Sequence, residues 1–198
     1  MKIKTMIVAS TAILLFSTII FANSARIDVF SDKNNNVELK PGIAPERGFC
    51  INTRWGDEEF RKYCIICQTG ILSDKWETFS MSFIPQSDGR VYISIKGDWA
   101  KTDGKTNLDQ NWIYFDNILI DGAILQNGNF CALNSENKPN NWWGEGRVVD
   151  GEAQSASGAT CAKVWHNASW TQPIMVTKGK EVKITFSVKS GECIQASK

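Results

Sequence analysis

Apolar and polar residues alternate along several segments of this chain, and no segment keeps a helical period over ten residues. The clearest case is 182–189, VKITFSVK, in which every apolar residue has an even number. A strand with one buried face and one solvated face produces this period of two. The pattern therefore predicts an all-β protein.

Two further segments show the same alternation. Segment 78–83 places Phe79, Met81 and Phe83 on one side, and segment 91–96 places its three β-branched aliphatic residues on one side. The turn residues Ser87-Asp88-Gly89 separate them, so we predict that the two strands form a hairpin. Other strands are predicted at 36–39, 49–53, 112–120, 162–165 and 173–176. Short strands separated by Gly, Asn, Asp and Pro clusters indicate a sandwich or a barrel.

Residues 1–25 have the pattern of a secretory signal peptide. Lys2 and Lys4 precede an apolar run over 6–22 that only four Ser or Thr residues interrupt. This run is shorter than the roughly 20 residues that span a bilayer, and small residues follow it. We expect cleavage after Ser24 or Ala25. The remaining domain, 26–198, is then secreted or periplasmic and has no membrane partner.

The charge balance argues against nucleic-acid binding. The 198 residues include 22 Lys and Arg against 21 Asp and Glu, so the chain has no general attraction for a polyanion. The same 198 residues contain 8 Trp, more than one core of this size usually needs. Some of these rings are therefore expected to face a ligand.

The six cysteines suggest disulfides, because an even number in an exported chain favours bridging. Their fifteen possible pairings stay open. The spacing of Cys64 and Cys67 matches a redox motif, but 62–70 has the pattern of one strand rather than the strand and helix of such a site. We therefore expect structural bridges among Cys50, Cys64, Cys67, Cys131, Cys161 and Cys193.

Few residues suggest catalysis. His166 is the single histidine, which excludes most triad and metalloenzyme schemes, and no nucleophile-elbow or nucleotide-binding motif occurs. The acidic residues are scattered at turns and strand ends. We therefore expect a protein that is not an enzyme. The alternative is a small secreted β-sandwich hydrolase or lyase that degrades glycans with two of these acids, for which Asp116 and Glu145 are candidates.

Several aromatic residues fall on the polar side of predicted strands. In 112–116, WIYFD, Trp112 and Tyr114 face solvent if the residues between them face the core. Tyr92 is also in phase with polar neighbours, whereas the position of Trp76 at a strand start favours burial. Exposed rings offer an apolar face to sugars, and nearby amides and charged groups bind hydroxyls. The pattern therefore favours carbohydrate binding.

Two sets of motifs resemble the halves of a jelly-roll carbohydrate-binding module of the galactose-binding-like superfamily. NGNF (127–130), PNNWW (139–143), WTQPI (170–174) and GKEVKITFSVK (179–189) resemble its opening half, and WETFSMSFIP (76–85) and FDNILI (115–120) resemble its closing half. The closing half comes first in this chain. The resemblance therefore implies one circularly permuted jelly roll, with two truncated copies as the alternative.

The resemblance also implies site residues. Trp170 and Gln172 match the family's W-x-Q motif, although Trp170 fits a core position equally well. Trp165 and His166 would line the same cleft. The family's structural calcium would correspond to Asp116, Asn127 and Asn129. Cys131 replaces a glutamate there, which weakens the expected calcium site and allows a disulfide in its place.

These observations predict a secreted, non-catalytic protein that binds an oligo- or polysaccharide. The resemblance assigns Trp142 or Trp143 to the core. A protein-interaction or adhesin domain is a further alternative, because the same fold binds many partners. The predicted carbohydrate-binding residues are Trp112, Tyr114, Tyr92, Trp165, His166, Trp170 and Gln172.

Overall fold

The computed structural model describes residues 23–32, 34–52, 58–100, 107–151 and 159–195. These residues form two antiparallel six-stranded sheets and no α-helix, which confirms the predicted all-β sandwich. No helix among them is long and apolar enough to cross a membrane. Residues 1–22 of the predicted signal segment lie outside the described residues.

Each sheet combines strands from distant parts of the chain. Sheet one has the spatial order β3 (Phe49–Ile51), β4 (Cys64–Gln68), β1 (Ala25–Ser31), β6 (Gly89–Gly97), β11 (Trp170–Val176) and β8 (Trp143–Gly144). Sheet two has the order β2 (Leu39–Pro41), β5 (Glu77–Pro85), β12 (Val182–Ile194), β7 (Gln110–Asp121), β10 (Thr160–Val164) and β9 (Arg147–Asp150). A 3₁₀ turn, Phe60–Lys62, precedes β4.

The core lies between the sheets and contains the inward residues that alternation predicts. Phe186 of β12 is at its centre, with its ring centroid 6.0 Å from that of Phe79 and 5.9 Å from that of Phe115. The apolar rows of β5 and β6 are also buried. The outward residues of the same strands are consequently held at fixed positions on the two outer faces.

The predicted hairpin between segments 78–83 and 91–96 is wrong. Strand β5 pairs with β2 and β12, whereas β6 pairs with β1 and β11, so the turn between them crosses from one sheet to the other. The Gln86 N–H donates to the carbonyl of Glu38 at 2.7 Å, and the Asp88 carboxylate accepts the Lys178 N–H at 2.7 Å. This arch brings the two apolar rows face to face across the core instead of side by side.

Strand β1 was not predicted, although it lies centrally in sheet one between β4 and β6. Its sequence shows the same period of two, with Ala25, Ile27 and Val29 in the core and Arg26 and Asp28 between them. The Arg26 Nε donates to Asp28 Oδ1 at 2.6 Å, and Lys96 Nζ lies 2.9 Å from Asp28 Oδ2. Because these charges satisfy one another, the strand tolerates them on the face opposite the core. The short strands β8 and β9 were also not predicted.

Strands from the two motif halves are interleaved. Strand β12 lies between β5 and β7, and β11 pairs with β6, so both halves contribute to both sheets and to one core. The strands of both halves therefore pack around one core, and the choice between one permuted domain and two truncated copies stays a prediction. The permuted order relative to the jelly-roll family stays a prediction.

One disulfide, Cys50–Cys67, joins β3 to β4. Cys64 is three residues before Cys67 on the same strand and therefore lies on the opposite face, where burial raises the pKa of its thiol to about 12. The two sulfurs of the possible redox motif thus point apart. The expectation that all six cysteines form bridges is wrong, because Cys64, Cys131, Cys161 and Cys193 are thiols. Cys131 is exposed, and its Sγ donates to the Asn129 carbonyl at 3.3 Å.

Alkylation should separate the exposed thiol from the buried one. We expect iodoacetamide to modify Cys131 in the folded protein and to leave Cys64 unmodified, because burial both blocks access and keeps Cys64 protonated. Mass spectrometry of peptides from folded and urea-unfolded samples measures this difference. Modification of Cys64 in the folded protein, or a Cys50 peptide that is not linked to Cys67, would contradict the structure.

The packed region includes three residues before the predicted domain start. The Asn23 Nδ2 donates to Ser190 Oγ at 2.9 Å and to the Gly191 carbonyl at 3.1 Å. The Ser24 carbonyl accepts the Asp98 N–H at 3.0 Å. Ala25 is the first residue of β1 and is buried. Cleavage after Ser24 or Ala25, as predicted from the sequence, would therefore remove contacts that the sandwich uses.

A chain that begins at Arg26 should be less stable than one that begins at Asn23. Each lost hydrogen bond contributes about 1 kcal/mol, so we expect the free energy of unfolding to fall by roughly 3–5 kcal/mol. Urea unfolding of the two chains measures the difference. Equal stability would show that residues 23–25 do not support β1 in solution.

Candidate functional site

The seven predicted carbohydrate-binding residues do not form one cleft. Trp112, Tyr114 and Trp165 lie on the side of sheet two, Tyr92, Gln172 and Trp170 belong to sheet one, and His166 lies in the connection between β10 and β11. The alternation of the strands and the packing of neighbouring side chains give each group a different environment.

Trp112 faces outward from β7, in the predicted phase, but its ring is not open to a sugar. The residue is only 3% exposed. The Arg147 guanidinium lies 4.8 Å from its ring centroid, the Lys163 ammonium lies 5.1 Å away, and the ring of Trp165 packs beside it at 6.3 Å. These neighbours cover the indole, so its face cannot stack on a sugar as predicted. The ring instead packs against the cations of Arg147 and Lys163.

Tyr114 also faces outward and is half-buried. Its hydroxyl donates to Glu192 Oε2 at 3.2 Å, and the ammonium groups of Lys163 and Lys189 lie 5.6 and 4.9 Å from its ring centroid. Gly191 leaves room for this ring, since a Cβ at that position would lie 2.7 Å from it. Tyr114 therefore forms part of a surface rich in cations.

Trp170 occupies the core position that the motif also allowed. Its ring is buried, and its Nε1 donates to the carbonyl of Arg147 at 3.3 Å. A Cβ at Gly146 would lie 2.4 Å from Nε1, so the backbone approaches the indole closely at this point. No face of this ring is available to a ligand, which corrects its assignment as a binding residue.

His166 is half-buried in a tight turn. The backbone groups of Trp165 and Ala168 hydrogen-bond to each other in both directions at 3.1 Å. Burial, followed by the nearby charges of Lys96 and Arg26, lowers the pKa of His166. Its Nδ1 is buried and has no hydrogen-bond partner among the described residues. The imidazole is therefore neutral at pH 7.

Acid should destabilise the fold partly through His166. The unfolded chain binds a proton near the ordinary pKa of 6.5, while the folded chain binds it only at lower pH. Well above pH 6.5, His166 is neutral in both states and does not change the free energy of unfolding. The free energy of unfolding falls as the pH drops from 6.5 toward the lowered pKa of the folded state. Urea unfolding at pH 7.5 and 5.5 should show a smaller acid loss for His166→Gln than for the unmodified protein. Equal losses would contradict this role.

The three predicted calcium ligands are engaged in other contacts. Asp116 is buried on β7 and accepts the Asn117 N–H at 2.7 Å. The Oδ1 atoms of Asn127 and Asn129 accept the backbone N–H groups of Ala132 and Cys131. No group of three acidic, His or Cys residues that could hold a metal occurs in the described chain. These residues fit calcium poorly, and the calcium site stays a prediction.

An open groove lies between the connection 122–142 and strands β8 and β11. One compartment has a volume of about 360 Å³. A second compartment of about 490 Å³ adjoins it and shares Ile124, Gln126 and Pro173 with it, then continues toward Asp121 and Lys180. The first compartment is lined by Ile124, Gln126, Asn141, Trp142, Trp143, Gln172 and Pro173.

Trp143 is an exposed aromatic wall of this groove. It is 46% exposed and makes an edge contact with Tyr92 at 5.7 Å between ring centroids. Tyr92 stacks on Phe30 at 5.4 Å and donates through its hydroxyl to Asp32 Oδ2 at 3.2 Å. Tyr92, which the sequence singled out, thus supports a neighbouring ring that the sequence analysis had not chosen for binding.

The Trp142–Trp143 doublet contains the signal that was missed. Neighbouring residues of an extended segment point to opposite sides, so a doublet cannot bury both rings against one core. In the structure Trp142 is buried and Trp143 is not. The assignment of one of them to the core is therefore correct for Trp142.

Gln172 holds the groove in shape. Its Oε1 accepts the Gln126 N–H at 2.8 Å, and its Nε2 donates to the Gln126 carbonyl at 2.9 Å. Farther along the loop, Asn127 Nδ2 donates to the carbonyls of Ala132 and Asn140. These two bonds give Gln172 a positioning role, and its direct contact with a ligand stays a prediction.

The same loop contains a strained aromatic residue. Phe130 has a φ of 57°, which bulky side chains rarely adopt and which costs about 1–3 kcal/mol. Its ring is buried with a centroid 5.3 Å from that of Trp142, and Trp142 Nε1 donates to the Asn127 carbonyl at 3.1 Å. Packing thus holds the conformation and makes this side of the groove rigid.

The two acids considered for catalysis belong to different regions. Asp116 is buried on a central strand of sheet two, whereas Glu145 is exposed and follows β8 at the edge of sheet one. The absence of enzymatic activity stays a prediction.

Comparison with models of protein families, with curated proteins and with solved structures found no match. The resemblance to jelly-roll carbohydrate-binding modules therefore depends on the motifs in this chain alone. The structure shows a β-sandwich.

Proposed function

We propose that this protein is a secreted, non-catalytic carbohydrate-binding protein whose ligand lies in the groove beside Trp143. The observation that carries the proposal is a half-exposed indole in a groove that is also lined by the amide side chains of Gln126 and Asn141. An indole face packs against sugar C–H groups, and an amide both donates to and accepts from hydroxyls. The combination suits a neutral sugar.

The dimensions of the groove support an oligosaccharide ligand. Each compartment lies within the range of roughly 300–1,000 Å³ that is typical of small-molecule sites, and the shared lining residues join the two into one elongated groove. Asp121 and Lys180 add charged hydrogen-bonding groups in the second compartment. Trp143 would therefore bind one sugar unit while neighbouring units extend past Gln126.

The fixed shape of the groove also supports binding. Gln172 forms two hydrogen bonds with the Gln126 backbone, and the rings of Phe130 and Trp142 pack beneath the same loop. A site that is already in its bound shape loses less conformational entropy when a ligand binds. Secretion, which the N-terminal pattern predicts, is compatible with the Cys50–Cys67 disulfide.

A protein ligand is the second candidate. Exposed Ile124 and Met175 also line the groove, and exposed apolar side chains that cluster together are common at protein-binding sites. These residues would bind an apolar peptide, whereas the amides and Trp143 favour sugar.

Trp143→Ala should weaken glycan binding by a factor of about 5–30, because loss of the ring contact removes about 1–2 kcal/mol. A glycan array identifies a ligand for the unmodified protein, and calorimetry then measures its affinity for both chains. Trp99→Ala is the matched control, since Trp99 is 55% exposed but does not line the groove. Its affinity should be unchanged.

Two results would contradict the proposal. One is the absence of binding to any glycan on the array, and the other is equal affinity of the Trp143→Ala and unmodified proteins. Binding of apolar peptides that Trp143→Ala and Met175→Ser both weaken, without glycan binding, would favour the protein ligand. Thermal unfolding of each variant checks that the fold is intact.

A further inference from the structure

A row of cationic and aromatic side chains crosses the outer face of sheet two. The strand register places Arg147 of β9 opposite Lys163 of β10, Lys163 opposite Tyr114 of β7, and Tyr114 opposite Lys189 of β12. The ring of Trp76 continues the row, with its centroid 5.4 Å from Lys189 Nζ. At about 4.8 Å per strand, the three cations Arg147, Lys163 and Lys189, here called the cation row, extend over roughly 14 Å.

Two members of the cation row are held together against their repulsion. Arg147 and Lys163 are directly opposite on neighbouring strands, an arrangement that destabilises a sheet. Both lie over the ring of Trp112, at 4.8 and 5.1 Å from its centroid. The negative face of the indole attracts each cation and so offsets part of the repulsion. The ring therefore acts as a support that keeps two positive groups side by side at the surface.

Neutralisation of this charge inside the protein is incomplete. Glu192 forms an ion pair with Lys163 and accepts the Tyr114 hydroxyl. Arg147 is exposed and forms no ion pair with any residue in the described part of the chain. Asp116, buried on β7 two residues after Tyr114, adds a further carboxyl group against the three cations of the row. The face thus presents a local positive potential on a chain with almost no net charge.

We propose that the cation row binds the carboxylate or sulfate groups of an acidic polysaccharide, at a surface separate from the Trp143 groove. The polysaccharide class rests on the proposed function, while the anion selectivity rests on the cations alone. A repeating polymer suits the row because it presents several anionic groups in line, and charge-assisted hydrogen bonds to the guanidinium and ammonium groups provide the affinity.

A nucleic acid fits this surface less well. Single-stranded nucleic acids bind by stacking bases on open aromatic rings, but cations cover the ring of Trp112 and flank that of Tyr114. Duplex binding commonly uses about 6–10 phosphate contacts, more than three cations provide. The near-zero net charge also gives no long-range attraction to DNA or RNA.

The test measures binding of the full chain to polygalacturonate, dextran sulfate and neutral dextran at two salt concentrations. Arg147→Gln and Lys163→Gln should each weaken binding to the acidic polymers about tenfold. Lys178→Gln makes the same charge change at the exposed turn after β11 and should bind normally. The logarithm of the affinity should fall with the logarithm of the salt concentration with a slope of about −2 to −3.

The exposure of Arg147 and one further variant keep the test decisive. Arg147 is exposed, so Arg147→Gln reports on binding even if loss of the more buried Lys163 impairs folding. Arg147→Lys restores the charge and should recover most of the affinity for the acidic polymers. If Arg147→Gln binds as tightly as the unmodified protein, or if no acidic polymer binds, the proposal is overturned.

The remaining outcomes separate this surface from the groove and from nucleic acids. Oligothymidylate that binds as tightly as the acidic polysaccharides, with the same dependence on Arg147, would overturn the polysaccharide assignment. Trp143→Ala should leave binding to acidic polymers unchanged. Failure of all neutral glycans while Arg147-dependent binding persists would reject the groove alone, and the reverse result would reject the cation row alone.

Discussion

Packing of the alternating apolar rows between the two sheets is the interaction on which the other features depend. Phe186 contacts both Phe79 and Phe115, and burying each such ring contributes about 2–3 kcal/mol. A shift of one residue would turn Lys189 of β12 into this core, so the packing also determines which side chains reach the outer face. The cation row and the support that Trp112 gives it are therefore consequences of the core register.

Alternation predicted strands whose two faces differ in polarity, but it did not predict which strands pair with each other. It identified β5, β6, β7 and β12 with the correct inward residues. Strand β1 has the same alternation of Ile27 and Val29 with Arg26 and Asp28, but it begins at the end of the predicted signal segment and was not predicted. Alternation also could not distinguish a hairpin from an arch between β5 and β6. The turn residues are similar in both, and the choice depends on pairing with β12 and β11, which lie far along the chain.

In the candidate site, the sequence predicted which way a side chain points but not whether that side chain is exposed. Strand phase correctly predicted that Trp112 points outward, but its exposure depends on Arg147 and Lys163, which cross-strand pairing brings over the ring. Trp143 shows the converse case. Its motif left open whether Trp142 or Trp143 enters the core, and the place of Trp143 on the edge strand β8 leaves its ring half exposed beside the groove. Both outcomes depend on neighbours distant in sequence, which one-dimensional periodicity does not contain.

The ligands proposed for the groove and for the cation row need different kinds of binding site. A neutral sugar offers only weak contacts that compete with water, so its site must already have the correct shape before binding. The packed Phe130 and the two hydrogen bonds between Gln172 and the Gln126 backbone hold one side of the groove in a fixed shape. An anionic group binds through stronger charge-assisted contacts and needs cations whose charge is not fully neutralised within the protein. Trp112 allows this, because a ring that attracts cations holds Arg147 and Lys163 in place without adding a negative charge that would weaken their hold on a ligand.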